Sequence, residues 1–122
     1  MDRHKYKAWD NQCKFWIEED SVILHPDGTV SVLDYINGDT WHENGPIDIV
    51  FCTGLKDKHG KLIFEGDILQ LGDGTVWDVF WHKDNSCYYV RCKNIILIAK
   101  ASRCMDFEII GNIYENPELL DK

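Results

Sequence analysis

Apolar residues occur in short runs of at most five, separated by turn chemistry every eight to twelve positions. This pattern predicts a mainly β chain. Tyr6–Trp9 and Phe15–Ile17 flank Asp10-Asn11-Gln12, and Ser21–Leu24 and Thr29–Leu33 flank Pro26-Asp27-Gly28. In the second of these turns Pro presets φ and Gly accepts a positive φ, which makes a hairpin. Asn37-Gly38-Asp39 reads as another tight turn, and Trp41–Pro46 as irregular. Ile47–Cys52 alternates, with Ile47, Ile49 and Phe51 on one face. Further strands are expected at Leu62–Phe64, Ile68–Leu71, Val76–His82, Cys87–Cys92, Ile95–Ala99 and Phe107–Tyr114. Asn116-Pro117-Glu118 has the form of a helix start, a capping Asn with Pro at the first helical position.

The stretch from Thr53 to Leu69 organises the rest. Asp57-Lys58-His59-Gly60 predicts a type I turn closed by a left-handed glycine, a common end to a hairpin. Gly66 fits a bend where a strand passes from one sheet to another. Asp67 would support that bend by accepting backbone amides, and Glu65 reads as a solvated charge at the strand end. Together these signals predict an N-terminal β-meander, about 1–52, packed on a C-terminal part, 53–122. That part is expected to be a small barrel of the Src-homology-three kind or a strongly bent sheet, ending in a short helical turn. A chain of 122 residues is the size of one domain.

Composition excludes more than it assigns. A hydrophobic share of 44% with 28% charged residues suits a folded globular chain. No apolar run reaches the roughly 18–20 residues of a membrane helix, and the first residues lack the apolar core of a signal peptide. A cytoplasmic setting is expected. The five cysteines (Cys13, Cys52, Cys87, Cys92, Cys104) include no Cys-x-x-Cys, so reduced structural thiols are expected rather than a zinc site. The net charge of −8 argues against general nucleic-acid binding. The acids concentrate in residues 1–50, with ten against four bases. From Lys83 to Arg103 the balance reverses, with five bases and the single acid Asp84.

Three blocks of the chain resemble the YopX family of phage and prophage proteins. They are Lys5-Tyr6-Lys7-Ala8-Trp9-Asp10, the run from Thr53 to Ile68, and Phe107 to Leu120. The resemblance implies a small β-rich protein of phage origin made in the bacterial cytoplasm. It implies no catalytic or binding residues, because the family has none established.

No phosphate-binding glycine loop, nucleophile elbow or His-Glu-x-x-His is present, and the five histidines are scattered singly. An enzyme, a metal site and a cofactor are therefore not expected. Asp57, Glu65 and Asp67 have a spacing that turn and bend chemistry accounts for. Trp77, Val79 and Trp81 share a strand face that is read as core; the alternative puts Phe80 inside and leaves the two Trp as a patch for a partner. Tyr89, Arg91 and Lys93 lie two apart, and on a strand they would form one face, an aromatic with two cations, able to stack a base and contact phosphates. The first reading of function is a non-enzymatic phage accessory protein acting through protein contacts. It would self-associate through free sheet edges and target a host protein. The alternative is a small nucleic-acid-binding module using residues 83–103.

Overall fold

The computed structural model of the chain describes residues 5–18, 21–34, 40–43 and 47–120. Among these residues, twelve strands, one short α-helix and a 3-10 turn make the fold mainly β. The chain divides into two compact units, one of Lys7–Val50 and one that runs from Phe51 onward and takes in Tyr6.

The Lys7–Val50 unit is built from hairpins. Strands β1 (Tyr6–Asp10) and β2 (Phe15–Ile17) pair antiparallel, with Trp9 opposite Trp16. Their rings meet edge to face at 4.9 Å, with Trp9 buried. The turn between them is held by Asp10, whose Oδ1 accepts the amides of Gln12 and Cys13. Strands β3 (Val22–Leu24), β4 (Val30–Asp34) and β5 (Thr40–Glu43) form a three-stranded antiparallel meander. The strand β5 replaces the irregular segment expected there: backbone pairing of Trp41 with Leu33 and of His42 with Val32 overrides the weak local propensity. The Asn37-Gly38-Asp39 turn and Gly45-Pro46 lie outside the described residues.

Strand β6 (Ile47–Lys56) leads into the second unit. It pairs with β7 (Leu62–Phe64) across a register shift between Cys52 and Lys56. Thr53 and Gly54 make that bulge workable. Gly54 has φ +83°, and the Thr53 hydroxyl donates to the Ile63 carbonyl at 2.7 Å while accepting the Leu55 amide at 3.0 Å. The following strands are β8 (Asp67–Gln70), β9 (Val76–His82), β10 (Cys87–Cys92), β11 (Ile95–Ile98) and β12 (Glu108–Asn112). They form one sheet in the order β11-β10-β9-β8-β12. β11 and β12 do not pair, so the sheet is a half-barrel, the strongly bent form of the expected architecture.

Ile63, Leu69, Trp77, Val79, Val90, Cys104 and Phe107 are the core of this unit. Trp77 and Phe107 meet edge to face at 5.9 Å. Phe107 and Cys104 arrive from α1 (Ala101–Cys104), a single helical turn that the sequence pattern does not announce. Four residues are too few for a helical period to show. The chain ends in the 3-10 turn Pro117–Leu120. Asn116 precedes it, but its side chain bonds back to the Asn112 amide at 3.3 Å rather than capping the turn. Gly111 makes room: a Cβ there would stand 2.6 Å from the Asn116 side-chain oxygen.

Candidate functional site

Two surfaces of the β9–β10–β11 region carry the chemistry-bearing side chains, one on each side of the sheet. Antiparallel register fixes which residues share a side. On the side away from the core, Asp78 lies opposite Arg91, Phe80 opposite Tyr89, and His82 opposite Cys87. Ile98 and Ile96 extend the same two rows onto β11, as partners of Tyr89 and Arg91.

Arg91 is held within the fold. Its Nη2 donates to Asp78 Oδ2 at 2.7 Å and its Nε to Oδ1 at 3.2 Å, a two-pronged pair, and its guanidinium lies 4.4 Å from the Phe80 ring centre. Asp78 is buried, so Arg91 supplies the positive charge that this carboxylate requires. Tyr89 packs against His82 at 4.7 Å and Phe80 at 6.0 Å, and its hydroxyl accepts from the Asn85 side-chain amide at 2.7 Å. Lys93 is not on the strand. It occupies the β10–β11 turn with φ +54°, so the three-residue face of Tyr89, Arg91 and Lys93 does not form. The period-two alternation stops short of Lys93 because β10 ends at Cys92. Asp78, the residue that neutralises Arg91, was legible only as an outward position on β9.

Beyond Tyr89 and Arg91 the sheet stops at β11, where Leu97 packs against the core and the three isoleucines are open. Ile95, Ile96 and Ile98 are 54%, 50% and 51% exposed. The Ala99 amide donates to the Tyr88 carbonyl, which places the hydrogen-bonded pairs of this ladder at odd positions of β11. Ile96 and Ile98 therefore turn their own N–H and C=O groups to the free edge. Arg103 from α1 donates to the Ile98 carbonyl and occupies one of those groups.

The core side of the sheet behaves differently along its length. Trp77 and Val79 are buried, whereas Trp81 is 47% exposed at the rim. The core face expected for all three holds for the first two and fails at Trp81, where the buried core of this sheet ends. Trp81 stacks edge-on against Tyr88, its cross-strand partner, at 4.9 Å. Glu65 is close by and is not the solvated charge that its sequence suggests. It is partly buried, its Oε1 accepts the Phe51 amide at 3.2 Å, and burial holds its carboxyl above the usual value. Burial, with the charges of Glu65 and Cys52, pushes the Tyr88 phenol up to about 12.

Asp57, Gly60, Gly66 and Asp67 occupy turns. Asp57 Oδ1 accepts the amides of His59 and Lys61, both at 2.9 Å, and its Oδ2 accepts that of Ile109 at 3.1 Å. Burial works to raise its pKa, but these amides prevail and hold the carboxyl below its ordinary range. Gly60 closes the turn at φ +80°. Asp67 Oδ2 accepts the Phe64 amide at 2.8 Å, and Gly66 bends at φ +85° with its N–H on the Val79 carbonyl. The cysteines are free thiols, with Cys52 and Cys104 buried. Among the described residues no group of three or more His, Cys, Asp or Glu stands ready for a metal, and no helix is long and apolar enough to cross a membrane.

The sequence model of the YopX protein family matches residues 5–121. The chain belongs to the YopX family. Two solved structures share this YopX-family fold. One is protein EF1440 from Enterococcus faecalis, 24% identical, with a TM-score of 0.63 over 95% of this chain and 96% of that one. Another is protein yopX from Bacillus subtilis, 19% identical, with a TM-score of 0.62 over 98% and 99%. At these identities the likeness shows the fold alone. A comparison with curated proteins gives no match.

Proposed function

We propose that this YopX-family chain is a non-enzymatic phage accessory protein of the bacterial cytoplasm that works through protein contacts made at the free edge of β11. The observation that carries this reading is the edge itself. Three isoleucines at least half exposed sit on a terminal strand that contains no charge and no proline, the usual devices that blunt an edge. Open backbone groups beside them are a template for another strand. The simplest occupant is a second copy, paired antiparallel about Leu97 so that Ile96 of each chain faces Ile98 of the other. A host protein strand could use the same edge.

Light scattering after gel filtration, over a hundredfold range of concentration, tests this. A mass that rises with concentration, and falls to the monomer in the Ile96→Lys/Ile98→Lys double variant, is the expected result. A monomer throughout, with no lysate protein retained in a β11-dependent manner, would overturn the reading. The nucleic-acid alternative loses its central cation to Asp78. It returns only if the chain is retained by single-stranded DNA or RNA at low salt and Arg91→Ala/Lys93→Ala abolishes that retention.

A further inference from the structure

We infer that Trp81, Tyr88 and Glu65 form a binding site for a cationic side chain, an arginine or lysine presented by a partner. Trp81 and Tyr88 are cross-strand neighbours on the core side of the sheet, at the row where the core runs out. Their edge-on contact at 4.9 Å leaves indole surface open to solvent. The Gly66 amide, bonded to the Val79 carbonyl at 2.8 Å, brings the Glu65–Gly66 bend alongside β9, two residues before Trp81.

The carboxylate there is incompletely satisfied. Its hydrogen bond is to the Phe51 amide, and among the described residues no Lys, Arg or His stands within ion-pair distance of it. Burial raises its pKa, and burial first, with the Glu65 charge second, keeps the Tyr88 phenol protonated up to about 12. A cation placed over the Trp81 indole would gain the ring quadrupole and a partly desolvated carboxylate at once. An anion would meet Glu65 repulsively, and a neutral ring would leave the carboxylate uncompensated. The net charge of −8 draws basic partners toward the whole chain.

The site gives the contact-making reading a partner chemistry, and it rests on that reading while lying on the opposite side of the sheet from Arg91 and Ile96. The test is a titration of the full chain, nitrogen-15 labelled, with acetyl-Gly-Arg-Gly-amide, following the Trp81 indole N–H identified by its loss in Trp81→Phe. A saturable shift is expected, weakened about tenfold in Glu65→Gln, the loss of one charge-assisted contact. The Glu65→Gln side chain keeps an oxygen that accepts the Phe51 amide, so the fold is kept. The uncharged citrulline peptide should leave the indole unmoved. An unmoved indole with the arginine peptide, an equal response to citrulline, or an undiminished response in Glu65→Gln each overturns the site. Ile96→Lys/Ile98→Lys should lower the mass of the assembly and leave this titration unchanged, so either proposal can fail without the other.

Discussion

Asp57 does with one carboxylate what a short loop otherwise needs several groups to do. Two of the amides it accepts close its own turn and the third, from Ile109, ties that turn to β12. Truncation to Ala would leave three partly buried amides without their acceptor, at a cost of about 2–3 kcal/mol, measured by urea denaturation at pH 7. Because the folded pKa is lowered, this contribution is present above the ordinary carboxylate value of 3.8 and is lost as pH falls through and below it. Asp57→Asn should show a smaller loss and a flatter acid limb. Tyr88 has the opposite sign: its raised pKa makes stability fall as pH rises from 10 toward 12. Ultraviolet titration should show one phenol ionising late, and Tyr88→Phe should remove that step. A pair of glycines, Gly60 and Gly66, separates strain from crowding. Gly60 and Gly66 share a positive φ, but only at Gly66 does a Cβ meet a neighbour, Tyr114 at 2.9 Å. Gly60→Ala should therefore cost about 1 kcal/mol, the left-handed penalty alone, and Gly66→Ala about 2–4 kcal/mol once crowding is added. Equal losses on denaturation would show that Tyr114 yields.

Among the elements, β9 and β10 show how one strand pair serves two purposes. Their core side anchors the sheet through Val79 and Val90, and their outer side is neutralised by Asp78 and Arg91. Arg91→Ala would strand a buried carboxylate, and solvent around the half-exposed guanidinium limits the loss to about 1–2 kcal/mol. Asp78→Asn/Arg91→Ala should recover part of it, a coupling readable in a double-mutant cycle. The edge β11 is the reverse case. Its isoleucines carry little of the fold, so lysines at 96 and 98 should change stability by less than about 1 kcal/mol while changing association. Most of these strands were legible from alternation and turn residues, because Gly28, Gly60 and Gly74 sit where hairpins demand a positive φ. The Asp-Gly-Thr sequence appears in two such turns, at 27–29 and 73–75, with the Asp accepting the Thr amide and hydroxyl each time. Strand β5 and helix α1 were not legible, since each is set by a partner rather than by its own residues.

At the scale of the molecule, charge and edge act against each other. A chain of net charge −8 repels its copies, and Lys93 and Lys100 flank the very strand proposed to pair. Both repulsions are screened by salt. Raising ionic strength from about 0.05 to 0.3 M should therefore strengthen self-association, whereas capture of an acidic partner at the same edge would weaken. Analytical ultracentrifugation across that range distinguishes the two by sign. Strand class, turns, family and the spacing that makes Asp57 and Asp67 backbone organisers are all written in the chain, because they depend on residues within a few positions of one another. The stretch from Thr53 to Leu69 was readable for that reason. Packing, by contrast, sets the neutralisation of Arg91, the departure of Lys93 from its strand, the rim position of Trp81 and the partial burial of Glu65. Each of those depends on what a distant segment covers, and burial is a property of the packed sheet that no local pattern encodes.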